Sequence, residues 1–178
     1  MPRLFVALRP PAPVREALLA AADDDPGIRW QDEDQLHLTL AFLGEVDPRL
    51  GDDLVGALAA VRSAPFALFV RGVGHFERKG VPSALWAGLA PSEPLDRLHG
   101  RVVAACRRAG TEPDRRGFRP HVTLARLGRS SPPAGAWLAA HGTLAAGPWE
   151  VRDFALYESR LSPAGAQYEP LVSYNLEA

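Results

Sequence analysis

The sequence predicts an α+β protein whose sheets are mainly antiparallel and whose two halves are related by a worn, pseudo-twofold duplication. Three observations carry this. Strand-like and helix-like segments are interleaved, yet several adjacent strands are joined by turn-sized connections, which favours hairpins over a doubly wound parallel sheet. A short phrase occurs twice, His37-Leu38-Thr39-Leu40 and His121-Val122-Thr123-Leu124, nearly half the chain apart. Each copy follows a strand–helix pair, although the surrounding segments are not visibly alike.

The elements follow from local pattern. Arg3 to Arg9 is strand-like and stops at Pro10 and Pro11. Pro13 to Ala22 reads as a helix, with Val14, Leu18 and Ala21 at helical spacing and Pro13 suited to a first turn. Asp23 to Gly27 is a turn. Leu36 to Leu43 is a strand with Leu36, Leu38, Leu40 and Phe42 on one face and His37, Thr39, Ala41 and Leu43 on the other. Asp47 as N-cap and Pro48 in the first turn open a helix running to about Arg62. Phe66 to Val73 is a strand, Gly74 to Pro82 a loop carrying His75, Arg78 and Lys79, and Ser83 to Leu89 the returning strand. Leu95 to Ala109 is a helix with Leu98, Val102, Ala105 and Cys106 at core spacing. Arg115 to Pro120 is a basic loop, His121 to Leu127 the second motif strand, and Pro132 to His141 a short helix. Trp149 to Ser159 and Tyr168 to Leu176 form a hairpin around Ser162–Gly165. Residues 1–178 are expected to make one domain of two lobes.

Composition bounds the function. The chain has 178 residues, 47% hydrophobic and 23% charged, within the range of an ordinary globular domain. A net charge of −1 means that any nucleic acid is recognised locally, at an end, and not along a basic face. The single cysteine, Cys106, excludes an internal disulfide and thiolate metal clusters, and its apolar setting predicts burial. The opening MPRLFVALRPP is too short and too soon interrupted for a signal peptide, and no run reaches the roughly 18 apolar residues of a membrane span. A cytoplasmic location is expected.

The repeated phrase carries chemistry. In a strand, residues i and i+2 share a face, so His37 lies with Thr39 and His121 with Thr123. Two such strands facing one cleft bring two imidazoles and two hydroxyls together. Cleaving a phosphodiester without a metal needs a base for water and an acid for the leaving oxygen, on opposite sides of phosphorus. Histidine titrates near neutrality and serves either role. Thr39 and Thr123 would donate hydrogen bonds to the non-bridging oxygens. A zinc site needs further ligands, and neither an HxxxH nor an HExxH pattern accompanies the phrases. A lone HxT in a strand is commonplace; two matched copies favour a catalytic pair.

These phrases resemble the paired HxTx motifs of the 2H phosphoesterase superfamily. RLFVAL at Arg3–Leu8, HLTLAFLGEV at His37–Val46, ALWAGL at Ala84–Leu89, RPHVTLAR at Arg119–Arg126 and LYESRLSPAGAQY at Leu156–Tyr168 are similar to its RNA 2′,3′-cyclic phosphodiesterase branch, also called LigT-like or 2′-5′ RNA ligase. The resemblance implies a bilobal fold around a central open cleft. It implies metal-independent opening of a 2′,3′-cyclic phosphate to a 2′-phosphate by His37 and His121, without a cofactor. The partners implied are RNA 3′ ends or small nucleotides with such a phosphate, met by a monomer away from membranes. Alternatives are 2′-5′ ligation, action on other small cyclic or 2′-5′-linked nucleotides, and an RNA-end-binding module without turnover.

Weaker candidates surround the motif. Phe42 and Arg126 each lie five residues after a motif histidine and would sandwich a terminal base, but strand parity sets both on the face opposite the histidines. Arg126 is favoured as the ligand residue because a charge is harder to bury. The Arg78/Lys79 and Arg115/Arg116/Arg119 loops are either phosphate contacts or solvated charges. His99 and His141 read as surface or cap residues. The tryptophans read as core, with Trp86 the best exception, and Tyr157, Ser159 and Tyr168 read as structural.

Overall fold

A computed structural model describes residues 1–178. In chain order the elements are β1 (Arg3–Leu8), α1 (Ala12–Leu19), β2 (Arg29–Trp30), β3 (Leu38–Glu45), α2 (Gly51–Ala59), β4 (Phe66–Arg78), β5 (Val81–Leu89), α3 (Glu93–Arg108), β6 (His121–Arg126), α4 (Gly135–Ala140), β7 (Ala145–Val151), β8 (Asp153–Ser162) and β9 (Gly165–Asn175). The strands join in the order β7-β4-β5-β6-β3-β1-β8-β9, with β2 added beside β6, and every pairing is antiparallel.

The order has a centre. β7-β4-β5-β6 forms one half and β3-β1-β8-β9 the other, and they meet where Leu38 pairs with Val122. Those are the residues that follow the two motif histidines, and both are fully buried. A strand–helix–strand unit stands on each side of this joint, β1-α1-β3 and β5-α3-β6. The expected α+β, bilobal, pseudo-twofold architecture is therefore present, with one strand path running through both lobes.

Alternation sets the faces. In β1, Leu4, Val6 and Leu8 enter a continuous cluster of 36 buried residues, which draws on both halves through Leu38, Leu85 and Val122. Phe5 and Ala7 point to the other side. Helix α3 closes the core with Leu95, Leu98, Val102, Ala105 and Cys106, spaced three and four apart. Ser92 caps it by accepting from the Leu95 N–H at 3.2 Å, and Arg107 and Arg108 sit at its negative end. Burial pushes the Cys106 thiol up to about 11, as suits a packing residue.

Four expectations need correction. Gly74–Arg78 is strand and not loop: β4 and β5 form one long hairpin closed by Lys79-Gly80, both at positive φ, which suits a two-residue turn between twisted strands. Trp149 to Ser159 is two strands. It breaks at Arg152, where β7 leaves for β4 while β8 pairs with β1 and β9. Strand β2 is an addition to the expected elements, since two residues leave no periodicity to read. The helix opened by Asp47 begins as a 3-10 turn at Pro48–Leu50, and its α portion ends at Ala59.

Candidate active site

His37 stands one residue before β3 and His121 opens β6. Leu38 and Val122 point into the core, so their neighbours His37, Thr39, His121 and Thr123 face the other way, and all four are half-buried. Antiparallel pairing of Leu38 with Val122 carries a further consequence. In that register His37 falls across from Thr123 and Thr39 across from His121, which brings the four positions of both motifs together on one face.

Both rings are oriented alike. His37 Nδ1 lies 2.8 Å from the Gln35 carbonyl oxygen, and His121 Nδ1 lies 2.6 Å from the Arg119 carbonyl oxygen. A carbonyl only accepts, so each Nδ1 carries the proton and each neutral ring leaves Nε2 as its basic atom. The two carbonyls occupy the same position, two residues upstream. Gln35 is itself fixed: it completes a capping box with Asp32, and its side-chain amide donates to the Ala166 carbonyl in β9 at 2.9 Å.

Aromatic walls enclose the rings. Phe5 and Tyr168 each have centroids 4.9 Å from His37, Tyr168 edge-on at 77°. Phe76 meets His121 at 4.8 Å and 88°, with Trp86 at 6.1 Å. The Trp86 indole lies flat on Gly74, where any Cβ would collide with it. The Arg119 guanidinium covers Phe76 at 5.6 Å. Each long hairpin thus supplies an aromatic edge to one histidine, Tyr168 from β9 and Phe76 from β4. Burial dominates the electrostatics: it lowers His37 to about 4 and lowers His121 in the same direction. The carbonyl hydrogen bonds oppose the shift, and the Arg126 charge adds to it at both rings.

Phe42 and Arg126 overturn the parity expectation. Thr39 pairs with Ala7 and Ala41 with Val6, so Leu40 is an extra residue in β3. Thr123 pairs with Trp86 and Ala125 with Leu85, so Leu124 is extra in β6. Each bulge falls three residues after its histidine. Two consecutive side chains, Leu40-Ala41 and Leu124-Ala125, turn to the core, and parity resets. Phe42 and Arg126 are consequently exposed on the histidine side, with Arg3 packed over the Phe42 ring at 5.7 Å.

The basic loops divide. Arg115 pairs with Glu112, and Arg116 with Asp114, so both are locally neutralised; Arg119 alone reaches the site. His75 pairs with Glu77 at 3.1 Å. His99 stacks on Phe118 and His141 packs against Trp137 at a tilt of 35°, away from the motif. Trp137 and Trp149 are core residues, whereas Trp86 is half-buried beside His121. Sequence reasoning missed Phe5, Phe76 and Gln35 and read Tyr168 as structural. A signal was available only for Gln35, which shares with Arg119 the place two before a motif histidine. No group of three or more His, Cys, Asp or Glu side chains is placed to hold a metal ion.

Comparison with known proteins places the chain in a family and a fold. The family profile of the 2′-5′ RNA ligase superfamily matches residues 8–162. The RNA 2′,3′-cyclic phosphodiesterase of Archaeoglobus fulgidus is 32% identical over 95% of this chain and 97% of its own. Among solved structures, TT0787 of Thermus thermophilus superposes with a TM-score of 0.84 at 31% identity, covering 99% of this chain and 98% of the other. E. coli LigT in complex with 3′-AMP superposes with a TM-score of 0.80 at 28% identity, over 99% of both chains. The matched span contains both HxTx strands and the joint between them, and the chain belongs to the 2′-5′ RNA ligase superfamily.

Proposed function

We propose that the protein is an RNA 2′,3′-cyclic phosphodiesterase that opens a terminal cyclic phosphate to a 2′-phosphate. The observation that carries the reading is the matched pair of imidazoles, each with Nδ1–H held by a carbonyl and Nε2 left free, on one face of two adjoining strands. The naming of relatives as RNA 2′,3′-cyclic phosphodiesterases supports the same substrate class.

One neutral Nε2 takes a proton from water as its oxygen attacks phosphorus. The P–O3′ bond breaks, and the other imidazole gives its Nε2 proton to O3′. The products are a 2′-phosphate and a 3′-hydroxyl, with the two protonation states exchanged and reset through solvent. Burial lowers both imidazoles in the free protein, and an anionic phosphate, by raising the pKa of a neighbouring imidazole, favours charging the one that serves as acid. Thr39 and Thr123 hold the non-bridging oxygens from opposite sides. Arg126 adds the positive charge that the equatorial oxygens require, and Phe42 offers a ring to the terminal base. The proposed working unit is a monomer. With a 5′-hydroxyl in place of water as the nucleophile and O3′ again leaving with the acid's proton, the same acid–base pair forms a 2′-5′ linkage, and the superfamily's description favours keeping that second reading.

The test is turnover of a short RNA ending in a 2′,3′-cyclic phosphate, with EDTA present and products resolved as 2′- or 3′-phosphate. The expected product is the 2′-phosphate. His37→Gln and His121→Gln should each lower kcat by about 10²–10⁴-fold, and Arg126→Ala should raise KM. Unchanged turnover in either histidine variant, or a requirement for a metal, defeats the proposal. Joining of added 5′-hydroxyl RNA without hydrolysis would select the ligase reading.

A further inference from the structure

A concavity lies away from the histidines, between α3 and the segment that leads into β4. It is a groove of about 730 Å³ in which Arg62, Arg97, Arg101 and Arg108 stand around Val61, Pro65, Phe66 and Ala104. No aspartate or glutamate lines it, although Ala178 does; Glu93 lies 3.9 Å from Arg97 and is exposed, and Glu177 adjoins the groove through its backbone carbonyl, which accepts from the Ser63 N–H. Two guanidinium groups are held without being neutralised: Arg101 Nη1 donates to the Arg62 carbonyl at 2.6 Å, and Arg62 Nη1 to the Ala59 carbonyl at 2.9 Å. In a chain of net charge −1 this is a local concentration of fixed positive charge.

We infer that this groove is a second, non-catalytic site for a chain of phosphates. Arg97 and Arg101 lie one helical turn apart, and Arg97 to Arg108 spans about 16 Å along α3. A single phosphate engages one or two guanidinium forks; a row of this length fits a linear series of phosphates, in an RNA strand or a free polyphosphate. The volume suits a bound ligand, and the apolar side chains between the arginines, Ala104 on α3 the smallest, leave the backbone of such a ligand room to approach. The inference stands independently of the reading of the histidine site.

The test uses the full chain carrying His37→Ala and His121→Ala, which separates binding from turnover. Inorganic tripolyphosphate is titrated calorimetrically at low salt. Saturable binding is expected, weakened at least tenfold by R101Q/R108Q and several-fold by R97Q alone, with thermal melts unchanged. In the parent protein, R101Q/R108Q should leave turnover of a mononucleoside 2′,3′-cyclic phosphate intact. A ten-nucleotide RNA with a plain 3′-hydroxyl is then added: competition with tripolyphosphate assigns the site to an RNA backbone, and its absence assigns it to free polyphosphate. Tripolyphosphate binding that is absent, or indifferent to both arginine variants, overturns the inference.

Discussion

His37 and His121 show how little a residue's identity says without its second partner. Each imidazole is turned by a carbonyl two residues upstream, so its tautomer is set by backbone and not by a carboxylate. Burial beside Phe5 and Tyr168 then holds His37 neutral down to about 4. The folded value lies below the unfolded value of 6.5, so the unfolded chain binds the extra proton as acid is added. The resulting stability is fully present above pH 6.5 and is lost as pH falls through about 4. For a shift of this size the loss is on the order of 3 kcal/mol, and His121 adds in the same direction. Urea midpoints should therefore fall between pH 6.5 and 4, and His37→Gln should flatten part of that slope. An equally steep slope in His37→Gln would assign the acid sensitivity elsewhere.

At the scale of elements, the two bulges and the two hairpins make the site. A regular strand would leave Phe42 and Arg126 in the core; the extra residues Leu40 and Leu124 deliver them to the histidine face instead. The β4–β5 hairpin contributes in a different way. Its Gly74 is the floor on which the Trp86 indole lies, and Trp86 and Phe76 together back His121. Trp86 Nε1 is buried and has no protein acceptor within reach. Gly74→Ala should lift the indole and loosen His121, lowering kcat and costing about 1–3 kcal/mol of stability. Pairing it with Trp86→Leu should restore stability more than activity, because the smaller side chain relieves the collision without rebuilding the wall. Wild-type kinetics in Gly74→Ala would show that the indole does not set the His121 ring.

At the scale of the molecule, two half-sheets are joined through Leu38 and Val122, and the site straddles that joint. The same pair fixes both motif strands from below, fully buried, inside the cluster that draws on both halves. Leu38→Ala should cost about 2–5 kcal/mol in denaturant unfolding. Turnover should fall as well, even where the protein remains folded, since the register that opposes each histidine to the other motif's threonine depends on this contact. A variant that loses stability yet keeps full kcat would show that the half-sheets hold their register by other means.

By itself the sequence determined the α+β class, most of the strands and helices, the burial of Cys106 and the paired histidines and threonines. Each of these rests on a period of two or about 3.6, or on a motif read over a few residues. Only the tertiary structure decided that His37 falls across from Thr123, that bulges turn Phe42 and Arg126 outward, and that Phe5, Tyr168, Phe76 and Trp86 wall the rings. It also gathered Arg62 beside Arg97, Arg101 and Arg108. Periodicity assigns a side chain to a face of its own element. Register, bulges and neighbours across a sheet are set when segments far apart in the chain pack against one core, and nothing local encodes that outcome.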